Sequence, residues 1–351
     1  DERGFDGREF EAAALESPAR LDVRADADGE EKFRAQIRGN FPAREVLTNE
    51  AMREALGFLE RIEGRADWNI ALTVNSAEGE DVRVDLGIDS DLAGVALGLP
   101  APFEKAAEEA WPFRLEYPLD GSGRPLEITL TDRAALRLDL PDSHAAPRRV
   151  LIDLDGEPGP LPPDGLVRIS GTAERLDADG WVSTIIDEAA RGNGMGLLQL
   201  EESAFHAHEM LLMDRVFSEV DLAVGYGGDS LKATFDSRDI EGEVRYIVAA
   251  DGAANLNAEF ERLALPEPES SGLTMETDPK DLPALHLFVR SFQYAGVELG
   301  ETRIEAFPTA SGMRFDMVDA RSEAISVQAS GDWTLTADGH RSDFRINMAS
   351  E

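Results

Sequence analysis

The strongest constraint on the fold is an alternation of apolar and polar residues across residues 283–348. Leu285 and Leu287 are separated by one residue, and the same period of two recurs in about six successive runs. Successive side chains of a β-strand point to opposite faces, so this period is typical of strands with one apolar and one solvated face. Glycine-containing turns, such as residues 308–312, separate the runs. This part of the chain is therefore predicted to form consecutive antiparallel strands.

The first half of the chain carries the same pattern in shorter runs. Residues 68–74 and 82–88 form its clearest predicted hairpin, and further runs recur up to the proline-rich residues 158–163. Those prolines fit either a linker between domains or an extended connection within one sheet. Helical periodicity predicts two helices, over residues 48–64 and 182–190. The fold class is thus predicted to be dominated by β-structure, with one or two short helices.

Charge and composition exclude several classes of function. The chain has 70 acidic and 34 basic residues and a formal net charge of −36, which argues against nucleic-acid partners and anionic membrane surfaces. It contains no cysteine, so disulfides and thiolate metal sites are excluded. No apolar run is long enough for a transmembrane helix. Because the sequence starts at Asp1 and stops within a strand pattern, we expect an internal piece of a longer protein.

Motifs for catalysis or metal binding are weak. His206 and His208 share a strand face, and a metal site there would need a third ligand such as Glu201 or Glu209. Exposed histidines on a strand are the simpler interpretation. Residues 192–196 have the glycine content of a phosphate loop but follow a predicted helix instead of opening one. We therefore predict no enzyme, no catalytic residue, no metal and no cofactor.

The domain organisation is predicted to be one elongated, repetitive β-segment over residues 1–351. Residues 218–235 and 302–317 share a strand–turn–strand pattern, about 80 residues apart, as in a sheet that grows by added hairpins. Boundaries within this segment are expected near residues 156–164 and 266–272. The apolar face of such strands has two interpretations, a dry core between two packed sheets or an open surface that contacts lipid.

Three stretches resemble motifs of the bacterial YhdP proteins of the AsmA-like superfamily. Residues 88–105 are similar to the pattern S-D-L-x-G-[LV]-x-[LI]-x-L-P-x-P-[LF]-x-K, and residues 171–181 to G-x-x-x-x-L-D-x-D-x-W. The third stretch, residues 278–333, resembles D-P-x-x-L-P-x-L followed by L-G and G-x-W. The three occur in the family's order and span most of the chain.

The resemblance implies a fold and a function. The fold would be a long, twisted antiparallel sheet bent into an open, β-taco-like hydrophobic groove. Such proteins move phospholipid between the inner and outer membranes of Gram-negative bacteria. This chain would be a periplasmic part of an inner-membrane-anchored protein, with phospholipids as partners and membrane contact made by other parts of the parent. The alternative is a structural or adhesive β-sandwich with a closed core and no lipid cargo, and a glycan-active enzyme ranks third.

The residues expected to line the groove are the apolar members of the alternating runs. They are Ile70, Leu72, Val74, Val82, Val84, Leu86, Leu285, Leu287, Val297, Leu299, Ile304, Met313, Phe315, Met317, Ile325, Val327 and Trp333.

Overall fold

Strands dominate the backbone, so the predicted β-rich fold class is confirmed. The computed structural model describes residues 4–26, 28–48, 60–76, 81–140, 148–156, 159–190, 199–227, 230–249, 253–266, 278–336 and 339–350. Contacts between residues divide the chain into two compact units. The N-terminal unit comprises Asp1–Gly171 and Gly180–Gln199, and the C-terminal unit comprises Thr172–Asp179 and Leu200–Glu351. Each unit is built around one long open sheet.

The N-terminal sheet has twelve strands within the described residues, in the order β1-β2-β3-β4-β5-β7-β8-β9-β10-β11-β13, with β6 paired to β4. The strands are β1 (Gly4–Ala14), β2 (Ser17–Asp26), β3 (Glu31–Pro42), β4 (Ile62–Asn75), β5 (Arg83–Ser90), β6 (Val95–Leu97), β7 (Phe113–Pro118), β8 (Leu126–Leu130), β9 (Ala134–Asp139), β10 (Arg149–Asp153), β11 (Leu166–Ser170) and β13 (Gln199–Leu200). Strands β10 and β11 pair in parallel. The proline-rich residues 159–163 therefore connect two strands of one sheet, and the division between units falls after Gly171.

The C-terminal sheet has eleven strands in the described part of the chain, in the order β12-β14-β15-β16-β17-β18-β19-β20-β21-β22-β23. The strands are β12 (Thr172–Asp177), β14 (Ser203–Leu212), β15 (Arg215–Gly227), β16 (Ser230–Asp236), β17 (Ile240–Val248), β18 (Ala254–Leu265), β19 (Ala284–Tyr294), β20 (Val297–Thr309), β21 (Gly312–Arg321), β22 (Ile325–Thr336) and β23 (Gly339–Ser350). The pairs β12–β14 and β18–β19 are parallel, and the others are antiparallel. The second boundary was expected near residues 266–272, and residues 267–272 lie outside the described residues.

Short helices accompany the sheets. Helix α1 (Ala43–Leu47) follows β3, while residues 49–59, which carry most of the first predicted helix, lie outside the described residues. The second predicted helix is confirmed as α2 (Ala178–Ala190), which starts four residues earlier than its apolar pattern indicates. A 3-10 helix (Pro279–Asp281) packs against β20, β21 and β22. The glycines at 192, 194 and 196 lie outside the part of the chain that the structure describes.

The core of the N-terminal unit forms where the segment between β5 and β7 packs against the sheet. Trp68 and Phe41 are almost completely buried, and the Trp68 indole Nε1 donates to the Phe41 carbonyl at 3.1 Å. Phe113 meets Trp68 edge to face, with ring centroids 5.9 Å apart. Val95 and Trp111, which belong to the covering segment, are buried in the same cluster.

A buried lysine holds this covering segment together. Lys105 is only 2% exposed, and its ammonium Nζ donates to the carbonyls of Leu92 at 2.9 Å, Val95 at 2.7 Å and Glu109 at 2.7 Å. It also donates to the carbonyl of Ala106 at 3.1 Å. Burial lowers the pKa of Lys105, and hydrogen bonds to the charged form offset the cost of burying it. The lysine that closes the first family-like motif is therefore a structural anchor.

The glycine of the same motif allows two backbones to approach closely. Gly94 and Gly64 both have positive φ, at 94° and 100°. A Cβ on Gly94 would lie 2.3 Å from the Arg65 carbonyl oxygen, and one on Gly64 would lie 2.1 Å from the Gly94 oxygen. The Arg65 amide donates to that Gly94 oxygen at 3.2 Å. Only glycine fits both the backbone angle and the contact.

Gly94→Ala is therefore expected to lower the free energy of unfolding by about 2–4 kcal/mol, measured by urea denaturation. Gly121→Ala is the matched control, since Gly121 also has positive φ (69°) but has nothing within 4 Å of its Cβ position. That control should lose only the backbone contribution, about 1 kcal/mol. Equal losses in the two variants would contradict the close-approach explanation.

The second family-like motif, residues 171–181, fixes the start of α2 by similar contacts. Asp179 accepts from the backbone amides of Met213 and Asp214 at 2.9 and 3.0 Å, within the C-terminal unit. Trp181 donates from Nε1 to the Ala101 carbonyl at 2.9 Å and meets Phe103 edge to face, within the N-terminal unit. Asp179 therefore anchors residues 213–214 within the C-terminal unit, and Trp181 anchors residues 101–103 within the N-terminal unit.

Candidate functional site

One face of the N-terminal sheet carries an unbroken line of apolar side chains. Residues directly opposite each other on paired strands share a face, so register partners can be followed from strand to strand. Ten strands contribute one residue each to the line that we call the N-terminal apolar row. Its members are Phe10, Leu21, Ile37, Ile70, Ile88, Leu115, Ile128, Leu136, Ile152 and Ile169. Nine steps of about 4.8 Å make a track on the order of 40 Å long.

Most of the N-terminal residues expected to line a groove share this face. Ile70 belongs to the row itself, and the register pairs Leu72 with Leu86 and Val74 with Val84 beside it. These five side chains are partly buried, and Ile70 and Leu86 pack against the core. The remaining candidate, Val82, precedes β5 and is 53% exposed.

The C-terminal sheet repeats this arrangement over nine strands. The C-terminal apolar row consists of Val224, Ala233, Val244, Ala258, Leu287, Ile304, Val318, Ala329 and Ile346. A second line runs beside it through Leu285, Ala306 and Phe315. Both lines continue across the parallel pair β18–β19, where Ala258 pairs with Leu287 and Leu256 pairs with Leu285. The change of strand direction therefore leaves the face apolar.

Several more of the expected residues fall on this face. Trp333 is the register partner of Met313, and Val327 is the partner of Met348. Ile325, two residues before Val327 on β22, shares the face. Leu285, Leu287, Ile304 and Phe315 are members of the two lines described above. The register thus assembles eight of the C-terminal candidates on one surface.

The other candidates lie at irregular points of the sheet. Met317 pairs with Glu305, a residue of the polar face, because the register shifts between β20 and β21 at Glu305 and Ala306. Val318 takes the place next to Ile304 instead, so a strict period of two selects the wrong neighbour here. Leu299 falls at a register shift between β19 and β20, and Val297 is 49% exposed at the hairpin end.

The opposite face of the N-terminal sheet is polar. Arg20, Arg38, Asn69, Asp89 and Arg114 are successive register partners there. They line an open depression of about 1570 Å³, in which the Arg114 guanidinium meets the Asp89 carboxylate at 2.9 Å. The charged side chains of this face are a poor environment for hydrocarbon chains. The sheet is therefore amphipathic, with apolar and charged side chains on separate faces.

The C-terminal sheet separates its faces in the same way. On its polar face, His286 pairs with Glu305 and lies within hydrogen-bond reach of its carboxylate, and Arg314 reaches Asp332 at 3.1 Å.

On the apolar face of the C-terminal sheet, the exposure of the side chains rises towards the last strand, where Ile346 is 59% exposed and Met348 is 70% exposed. A contiguous exposed apolar surface on a folded chain usually marks a binding surface.

None of the helices in the described ranges is both long and apolar enough to cross a membrane.

The fold and this surface define a class of strand-rich proteins with continuous apolar faces on long open sheets. A family model described as YhdP protein matches residues 1–351. The chain therefore belongs to the YhdP family, as the three sequence motifs indicate. Membership of this family points to a role related to lipid transport. No curated protein and no solved structure matches the chain.

Proposed function

We propose that the apolar faces of the two sheets bind the acyl chains of phospholipids and guide phospholipid between the inner and outer membranes. The observation that carries this proposal is the unbroken apolar row in each sheet. Strand register brings the members of each row together, although they lie far apart in the sequence. The rows have ten and nine members, and a charged residue at any of these nineteen positions would have interrupted a row. A row without interruption is what a sliding hydrocarbon chain requires.

The energetics suit transport better than tight binding. Each methylene removed from water contributes about 0.8 kcal/mol, irrespective of which apolar side chain it contacts. A chain that moves from one strand to the next exchanges one such contact for another of similar strength. Binding along a row is therefore strong in total, while movement along it meets a low barrier.

Electrostatics support the same arrangement. The charged side chains that give the formal net charge of −36 favour water. Some of them lie on the polar faces of the two sheets. Headgroups would remain at the solvated edge of each apolar face, where polar groups stay hydrated. In this proposal the chain works in the periplasm, and other parts of an inner-membrane-anchored parent make the membrane contacts.

A closed β-sandwich with no lipid cargo is the competing function class. It would bury the apolar face against protein throughout. The exposure of Tyr226, Val248, Ile346 and Met348 favours an accessible face, since each is more than 40% exposed. Family membership also favours lipid transport over a structural or adhesive module.

Site-specific photocrosslinking to a labelled phospholipid tests the proposal. A benzoylphenylalanine at Leu287 or Ile304 is expected to form a lipid adduct, because both positions lie in the C-terminal apolar row. The same probe at Gln328, which is exposed and pairs with Asp319 on the polar face, is the control and should give no adduct. Folded protein without adducts at the row positions, or with equal adducts on both faces, would contradict the proposal.

A further inference from the structure

Two histidines and two carboxylates converge on strands β14 and β15 of the C-terminal sheet. His206 is the register partner of Asp221, and Glu219 lies two residues before Asp221 on the same strand. The His206 Nε2 atom is 3.0 Å from Glu219 Oε2, and His208 Nδ1 is 3.2 Å from Glu219 Oε1. The ligand atoms of these two histidines and Glu219 all lie within 4.8 Å of one another. Three potential metal ligands therefore face a common point.

We propose that His206, His208 and Glu219 bind a divalent transition-metal ion of the zinc type. Zinc binds imidazole nitrogen at about 2.0–2.1 Å, so the ligand atoms of a tetrahedral site lie about 3.3 Å apart. One carboxylate oxygen, Glu219 Oε2, lies 3.0 Å from His206 Nε2 and 3.3 Å from His208 Nδ1, so these separations need little adjustment to reach that geometry. Two histidines and one glutamate are an established zinc ligand set, with the fourth position taken by water. Imidazole ligands also select against magnesium and calcium, which prefer oxygen.

Asp221 supplies a second, independent feature of a metal site. The His206 Nδ1 atom lies 2.8 Å from Asp221 Oδ1. A proton on Nδ1, donated to this carboxylate, leaves the Nε2 lone pair directed at the metal position. Histidines that bind metals usually donate their second ring nitrogen to a carboxylate in this way, which fixes the tautomer and the ring orientation.

The third ligand differs from the candidates that the sequence offered. Glu209 pairs with Ser218 in the ladder, whereas Glu219 approaches the histidines from the neighbouring strand. The spacing of His206 and His208 could be read from the sequence, but the approach of Glu219 depends on strand pairing. Both imidazoles are partly buried, with 26% and 43% of the side chains exposed.

Isothermal titration of the purified chain with zinc, in excess magnesium, tests the site. Magnesium occupies the many surface carboxylates of this acidic protein, so the remaining heat should report one zinc ion per chain. The His206→Gln and His208→Gln double variant should weaken zinc binding at least about 100-fold, and Asp221→Asn about 10–100-fold. His286→Gln is the matched control, since the His286 ring contacts Glu305 and Phe307 on other strands of the sheet. This variant should bind zinc as the unaltered chain does.

Cobalt provides a second readout that does not depend on the variants. Cobalt bound by two imidazoles and a carboxylate in a tetrahedral site should show visible absorption bands, which zinc should displace. Absence of saturable zinc binding to the unaltered chain would overturn the proposal. Unchanged affinity in the double variant, with circular dichroism showing that it remains folded, would overturn it too.

Discussion

Lys105→Met is expected to lower the free energy of unfolding of the N-terminal unit by about 3–5 kcal/mol. The substitution removes a buried ammonium group that donates to four backbone carbonyls and leaves part of their hydrogen bonding unmet. For a unit of this size, the loss corresponds to a decrease in the melting temperature of about 10 °C. Tryptophan fluorescence can follow it, because Trp68, Trp111 and Trp181 all belong to the N-terminal unit.

Lys280→Met provides the control for this prediction. Lys280 forms an exposed ion pair with Asp278 at 2.5 Å, and exposed pairs contribute about 0–1 kcal/mol. If Lys105→Met were no more destabilising than Lys280→Met, the covering segment would be held by its apolar contacts alone. The assigned role of the lysine in the motif would then be wrong.

Val327→Asp is expected to reduce phospholipid transfer by the full-length protein at least about tenfold while the sheet stays folded. Val327 lies on the apolar face of β22, next to the C-terminal apolar row, and is partly accessible. A carboxylate there must lose water before a hydrocarbon chain can pass, and this desolvation costs several kcal/mol. Transfer of a fluorescent phospholipid between donor and acceptor vesicles measures the effect.

The neighbouring residue supplies the matched control for Val327→Asp. Gln328→Asp introduces the same side chain one position away, on the exposed polar face, and should leave transfer unchanged. Circular dichroism separates the two function classes. In a closed sandwich core, Val327→Asp would unfold the sheet, which would support the structural alternative over lipid transport.

The strands could be predicted from local patterns with good accuracy. The alternation in residues 283–348 predicted the run β19 to β23, and the apolar period over residues 182–190 predicted α2. The sequence also predicted that Leu72 and Leu86 share an apolar face, and the register makes them partners. These features depend on side chains a few residues apart, which is the range that periodicity describes.

The candidate surface could be predicted only in part. Val318, and not Met317, lies beside Ile304 on the apolar face, because one extra residue in β21 shifts the register. Glu219 joins two histidines from the adjacent strand, and Lys105 reaches carbonyls up to thirteen residues away. Nothing in the local pattern of these residues specifies their partners, because strand pairing and loop closure select them.

By itself, the sequence determined the β-rich class, the amphipathic character of the strands and membership of the YhdP family. The tertiary structure decided that two separate sheets form, that the pairs β10–β11, β12–β14 and β18–β19 are parallel, and which side chains make each apolar row. The physical reason is the range of the interactions. Alternation follows from the geometry of one extended strand, whereas a row across ten strands exists only when hydrogen bonds between distant segments fix every register.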